Sequence, residues 1–246
     1  HQRLYFCRLL KITVTRERIE DMNLLHIETS GTLCSAAWSA DGEVRYTRTI
    51  TEPMSHSAHA GVLAREALEH TGGTPPDAVA VSAGPGSYTG LRIGVSLAKG
   101  LCVGWGVPLI AVPTPEVIAA AALRELGRTD CLYCALIDAR RMEVYATLFD
   151  ARLQTLRETR AEIITPESYA AELAGTDICF CGDGAEKCRD VIRSPRAIYL
   201  DRIRPVAAEM EPIAERAYAE GRFVDTAYFE PFYLKEFVAT TPRKKI

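Results

Sequence analysis

The residues best placed to do chemistry sit in a glycine turn, Gly84-Pro85-Gly86-Ser87, directly after the apolar run Ala78 to Ala83. Glycine visits positive φ without strain and proline presets its own φ, so a short buried strand is expected to turn sharply here. Ser87 is an N-cap candidate, and a helix is expected from it to about Gly104. Strand, glycine turn and helix together offer backbone N–H groups to a phosphate or a carboxylate. Two other pairs could hold a metal. His56 and His59 are three apart, a spacing that would put two ligands on one helical face, but no third ligand accompanies them. Cys131-x-x-Cys134 invites a zinc or redox reading. It lies in an apolar run, however, and a strand sends residues three apart to opposite faces. No second CxxC completes a site, and Cys179 and Cys181 fall in another apparent strand. Structural, reduced cysteines and capping or surface histidines are the expectation.

The helix after Ser87 carries a second message. At about 100° per residue, Leu91, Val95, Ala98 and Cys102 share one face while Ile93, Leu97 and Leu101 share another. Together they cover about 200° of the circumference, twice the stripe needed to sit on one sheet. Arg92, Ser96 and Lys99 mark the wet side, and Gly90, Gly94 and Ala98 form a ridge of small residues that admits another backbone. The helix is therefore either buried within its own domain or packed on its sheet and on a partner. A second helix is expected over His56 to Thr71, with Ala60, Leu63, Ala64 and Ala67 on its apolar side and Gly72-Gly73 as its stop.

Strands are expected at Leu24–Glu28, Cys34–Trp38 and Val44–Ile50, with Asp41-Gly42 as a hairpin signal. A strand over 107–113 leads into a helix with Pro115 in its first turn, Ala-rich through Leu126. The stretch 131–164 then repeats the plan of 24–50: an apolar strand ending in an acid, a short turn, a second strand, an Asp-centred turn and a third strand. Such a repeat marks a duplicated domain. Short helices are expected over Pro166–Ala174 and from Pro205 to Glu220, and an aromatic, extended end after that.

Bulk properties exclude several function classes. The 246 residues are 48% hydrophobic, enough for one large domain or two small ones to bury a core. The formal charge is −3, but residues 22–242 hold 21 basic and 29 acidic residues, a net of −8. A body this acidic is a poor grip for a nucleic-acid backbone, which needs phosphate neutralisation. No apolar run approaches the ~18 residues of a membrane span, and no signal peptide is evident. No Ser-His-Asp set, HExxH or Walker A motif can be assembled, since all five histidines lie at or before position 70. Residues 1–21 lack the punctuation found in the rest of the chain, and Met22 directly precedes the first strand, so 1–21 is expected to be an extension or a start-site artefact. A cytoplasmic location is expected from reduced cysteines.

AGPGSYTGLRIG followed by KGL resembles the signature of the TsaB (YeaZ) family, and matching features run from about Leu24 to Val238. The resemblance implies an α/β fold of the ASKHA (actin-like ATPase) type: a duplicated fold of two lobes, each a mixed sheet with flanking helices. The lobes would be 22–113 and 114–225, with a tail over 226–246. It also implies a non-catalytic subunit that supports a TsaD-like enzyme in making threonylcarbamoyladenosine beside the tRNA anticodon. In that enzyme a histidine pair four apart holds the catalytic metal; the matching positions here are Thr114 and Ile118. No metal and no cofactor are expected on this chain alone, with ATP and metal used by partner subunits. The partners implied are the TsaD-like paralogue, a TsaE-like ATPase and a second copy of the chain, without strong direct tRNA binding.

Residue by residue, the resemblance sets Glu28, Thr29 and Ser30 near a nucleotide phosphate, Glu28 standing where the family commonly has Asp. Asp138 begins a second phosphate loop that lacks glycine, in DARRMEVY, similar to the family's DAR-x-x-EVY. Gly182 and Gly184 stand in an adenosine-side loop, and Gly84, Gly86 and Ser87 complete the vestigial set. A hairpin loop and a tight strand-to-helix turn remain the structural alternatives for the Glu28 and Gly182 loops. The partner surface is expected on His59, Ala60, Leu63, Ala64 and Ala67 of the first helix and Tyr88, Leu91, Arg92 and Val95 of the second. Periodicity leaves the outward face of the second helix open; Leu91 and Val95 are assigned to it. The alternatives are a small-molecule kinase, which needs two working phosphate loops, and a degenerate metallopeptidase.

Overall fold

The computed structural model describes residues 22–52 and 56–234. The expectations for residues 1–21 and for the end of the tail lie outside the described residues. Five strands, β1 (Asn23–Glu28), β2 (Cys34–Ala40), β3 (Glu43–Ile50), β4 (Ala78–Gly84) and β5 (Leu109–Pro113), build the first sheet in the order β3-β2-β1-β4-β5. β6 (Cys131–Asp138), β7 (Glu143–Phe149), β8 (Thr155–Ile163), β9 (Asp177–Cys181) and β10 (Ala197–Leu200) build the second in the order β10-β9-β6-β7-β8. In each, an antiparallel meander of three strands is extended by two parallel ones. The two sheets share one topology, which the repeat at 131–164 foretold. The duplicated ASKHA-type architecture follows.

Burial explains which strands lie inside. β1 and β4, paired on both sides, are almost wholly buried, as central strands covered on both faces must be, and β1 takes His26 and Glu28 into the interior with its apolar residues. The edge strands β3 and β8 are largely exposed and charged, a composition that discourages edge-to-edge pairing. At the β2–β3 turn Asp41 and Gly42 both take positive φ, the hairpin geometry that their dipeptide favours.

Helix α1 (His56–His70) lies over β2 and α2 (Tyr88–Trp105) over β4, enclosing a core of Leu25, Ile27, Val79, Val81, Val95 and Ala98. α2 ends one residue beyond the expected stop, with Gly106 in the left-handed region. α3 (Thr114–Leu126) is the layer between the sheets. Val117 and Ala120 pack toward the first lobe, and Ile118, Ala119, Ala121 and Ala122 toward the second. A helix approached from several sides needs small residues on most of its faces, which accounts for its alanine run.

α4 (Ala170–Gly175) and α5 (Ala185–Arg189) cover the far face of the second sheet. α4 starts later than expected, and both α5 and β10 are short enough that no periodicity reported them. The helix expected from Pro205 is a 3₁₀ turn (Ala207–Met210) followed by α6 (Glu211–Ala219). Both return to the first sheet: Met210, Ile213 and Ala214 pack on Leu24, Ala80 and Ile110, and the Ala207 amide donates to Ser35 Oγ at 2.9 Å. The first lobe is thus completed by residues well beyond 113. Ion pairs of Arg124 with Glu209 and of Arg216 with Glu116 fasten α3 to this returning segment.

Candidate functional site

The β1–β2 hairpin meets the glycine turn at the N-terminus of α2. Glu28 ends β1 fully buried, and one carboxylate oxygen accepts the Ser30 amide at 2.5 Å. Burial raises its pKa; hydrogen bonds from Ser30, Ser82 and Thr29 oppose the rise without cancelling it. Thr29 Oγ1 donates to the Gly90 carbonyl at 2.8 Å, and the Ser87 amide donates to the Ser30 carbonyl at 2.7 Å. A Cβ on Gly86 would fall on the Ser30 carbonyl, one on Gly90 on the Thr29 carbonyl, and one on Gly94 on Thr29 Oγ1. The backbone admitted by the small-residue ridge is therefore the chain's own hairpin. Ser87 caps α2 as expected, its Oγ accepting the Gly90 amide at 3.2 Å.

The loops of the second lobe are sewn together in the same way. Asp183 Oδ1 accepts the Asp138 amide at 2.9 Å, and the Gly184 amide donates to the Leu136 carbonyl at 3.0 Å. Gly182 has φ 103°, and a Cβ there would fall on the Leu136 carbonyl. Burial pulls the Asp138 carboxyl upward, but the Lys187 ammonium and the Arg140 amide outweigh it and hold the group below the ordinary range. Arg140 and Arg141 both take positive φ, making without glycine a turn that glycine usually serves.

Between the lobes lies a cleft of about 790 Å³. Ser30, Gly86, Ser87 and Thr89 line one wall, and Thr114, Ile118, Asp138 and Asp183 the other. Glu28, Thr29, Gly84, Gly182 and Gly184 are not on its surface. Among the described residues no lysine or arginine lines it, and of its two aspartates Asp138 already engages the Lys187 ammonium, so a triphosphate would meet no free cation there. Thr114 and Ile118 do face the cleft together, but an isoleucine side chain has no donor atom. The residues present do not fit a metal held at these two positions.

α2 itself corrects the expected partner surface. Leu91 is 0% and Val95 4% exposed, and Ala60, Leu63, Ala64 and Ala67 are likewise buried in the chain's own core. The stripe containing Ala98 and flanked by Gly90 and Gly94 approaches the sheet and hairpin most closely, so it is the inward one. The outward stripe is Ile93, Leu97 and Leu101, each half-buried. Beside it Val62 is 37% and Val103 75% exposed, and Gly61, Gly100 and Gly104 would each have open space around an added Cβ. His56 is engaged by the Leu33 carbonyl at 3.1 Å and His59 lies 3.9 Å from Glu52, so the pair points at different partners. Tyr88 and Arg92 sit at the rim, with Arg92 Nη1 donating to the Tyr88 hydroxyl at 2.9 Å.

One feature escaped sequence reasoning. Residues 225–234 cross the wet side of α2 as a strap. Lys99 Nζ donates to the Ala227 and Phe229 carbonyls at 3.0 and 3.1 Å, and the Phe232 amide donates to the Ala83 carbonyl at 2.7 Å. Tyr233 meets Tyr88 with ring centroids 4.8 Å apart. The available signal was Gly84: its φ is 98°, and a Cβ would lie 2.6 Å from the Phe232 carbonyl oxygen.

Comparison with known proteins bears on this arrangement directly. Residues 53–209 match the family described as TsaD, tRNA N6-adenosine threonylcarbamoyltransferase. The tRNA threonylcarbamoyladenosine biosynthesis protein TsaB of Escherichia coli is 33% identical over 89% of this chain and 96% of its own length. The chain belongs to the TsaB family. The Haemophilus influenzae TsaB is 26% identical over the same shares of both chains. The solved structure of YeaZ from Pseudomonas aeruginosa superposes with a TM-score of 0.77 at 27% identity, covering 87% of this chain and all of that one.

Within this TsaB-type fold the remaining sequence candidates resolve as structural parts. Cys131 packs under α3 and Cys134 on the opposite face of the sheet, and the seven described cysteines are free and buried. Among the described residues no group of three or more His, Cys, Asp or Glu side chains could hold a metal ion. Among the same residues no helix is long and apolar enough to cross a membrane.

Proposed function

We propose that this chain is a non-catalytic platform subunit in threonylcarbamoyladenosine synthesis on tRNA, and that it supports a TsaD-like enzyme through the outward face of α1 and α2. Family membership supports the pathway. The observation that carries the platform reading is the uncovered strip on α2. Glycine inside a helix costs about 1 kcal/mol relative to alanine, and at Gly100 and Gly104 no close neighbour among the described residues accounts for it. Gly90 and Gly94 on the same helix each make room for Thr29. The exposed pair, beside the apolar Leu97 and Leu101, is suited to a second chain's close approach. No lysine or arginine among the described residues lines the cleft, and isoleucine stands at one of the two positions matching the enzyme's metal-holding pair, which supports leaving the chemistry, the ATP and the metal to the partner, and the setting is cytoplasmic.

The test is co-elution of the purified chain with the TsaD-like enzyme of the same organism. Gly100→Glu places a charge on the face where the free chain has open space. It should leave the monomer folded and abolish the complex. Co-elution of Gly100→Glu at the wild-type level would refute the assigned face.

A further inference from the structure

The groove between α2 and the strap carries an unanswered charge. It encloses about 370 Å³ and is lined by Tyr88, Arg92, Ser96, Lys99, Glu230 and Tyr233 among others. Arg92 and Lys99 make no ion pair among the described residues. Lys99 directs its ammonium at two strap carbonyls, and Arg92 gives one N–H to Tyr88. The Arg92 guanidinium lies 5.4 Å from the centroid of the Tyr88 ring, and Tyr233 packs on that same ring. The guanidinium is thereby held in place, with one donor on Tyr88 and no acid on the others among the described residues. A guanidinium so fixed is a fork matched to a carboxylate.

We infer that this groove receives an aspartate or glutamate side chain of the protein partner. The inference rests on the reading of α2's outward face given above. Arg92 and Gly100 stand about 80° apart around the helix, with the exposed Ser96 between them. A chain seated on Leu97 and Gly100 thus reaches the groove without leaving α2. With Glu230 at its edge, the three charged side chains of the groove sum to +1. That balance suits one monovalent carboxylate better than a phosphate dianion, and the acidic balance of residues 22–242 disfavours an RNA strand. The strap fixes the geometry: Lys99 holds its backbone and Gly84 admits the Phe232 carbonyl.

The experiment compares wild type, Arg92→Glu, Arg92→Lys and Gly100→Glu for binding of the TsaD-like enzyme by surface plasmon resonance at low and high NaCl. Arg92 is exposed, so circular dichroism should report an unchanged fold. At low salt Arg92→Glu should weaken binding roughly tenfold to hundredfold, Arg92→Lys should be intermediate, and the gap should shrink at high salt. Reversing one acidic residue on the partner to arginine should restore affinity to Arg92→Glu. Wild-type binding by Arg92→Glu while Gly100→Glu fails would overturn the groove and leave the face standing. Wild-type binding by both would overturn the two together. A loss indifferent to salt would mean packing rather than charge and would overturn the carboxylate. Loss of tRNA retention on a filter with partner binding unchanged would assign the groove to phosphate instead, and overturn it equally.

Discussion

Four glycines on one helix should respond to the same substitution with opposite signs. Gly→Ala at an exposed helix-interior site gains about 0.8–1 kcal/mol from helix propensity alone. At Gly100 and Gly104 nothing stands within 4 Å of the new methyl, so the whole gain should appear. For a chain of this size that is an increase of roughly 2–4 °C in melting temperature. At Gly90 the methyl would land on the Thr29 carbonyl oxygen, and at Gly94 on Thr29 Oγ1, which donates to the Gly90 carbonyl. Overpacking of this kind typically costs about 1–3 kcal/mol, enough to outweigh the propensity gain. Differential scanning fluorimetry of the four alanine variants reads all four signs in one experiment. Melting temperatures that move the same way at Gly90 and Gly100 would refute the division of α2 into an inward and an outward glycine pair. Size-exclusion with the TsaD-like enzyme then asks whether the stabilised Gly100→Ala and Gly104→Ala variants associate less well, as a close approach requires.

Other expectations come from burial and charge. His26 is fully buried with Nε2 on Ser39 Oγ at 2.8 Å, and desolvation pushes its pKa down to about 3 from 6.5. Its stabilising contribution is therefore complete above pH 6.5 and is lost as pH falls from there toward 3, about 2 kcal/mol of it between pH 7 and 5. Glu211, raised to about 7 by burial and the neighbouring Glu215 charge, works in the opposite sense over this range. The diagnostic quantity is thus the stability difference between wild type and His26→Gln in urea, which should narrow by that amount; a pH-independent difference would exclude the assignment. Val95→Glu should lose the folded monomer rather than only a complex, because its side chain lies in the core with Leu25 and Trp38, and a native far-UV spectrum and melting point would contradict that. Metal analysis of the purified chain should find no stoichiometric zinc or iron; one equivalent per chain would overturn the reading of Thr114 and Ile118.

Much of the architecture was legible because long-period signals report it. The repeat of an acid-terminated strand and a meander at 24–50 and 131–164 announced two sheets of one topology, and the hairpin and capping residues Asp41-Gly42, Ser87 and Pro115 stand where their conformational preferences put them. What failed to show was order over short lengths and contact over long ones. β10 spans only four residues and α5 five, too few for a period. The return of α6 to the first sheet is encoded in Met210, Ile213 and Ala214, which serve equally well on either lobe. The glycines of the turns after β4 and β9 serve neighbouring backbone, a contact no local pattern reports: Gly86 makes room for Ser30, and Gly182 for Leu136.

The misassigned face of α2 has a geometric origin. A four-residue step advances about 400°, so a ridge spaced by four drifts about 40° per step around the helix. Gly90, Gly94 and Ala98 therefore do not mark one fixed face; they wind from the hairpin side into the core stripe, where Ala98 is fully buried beside Cys102. Gly100 and Gly104 begin a second ridge on the opposite flank, level with Ile93 and Leu97. Read as spacing alone, both ridges offer the same invitation to a neighbouring backbone. Only the position of Thr29, sixty residues earlier and delivered by β1, shows that the first is already answered. The second is left facing outward, on the same helix as Arg92, which has no acid of its own among the described residues.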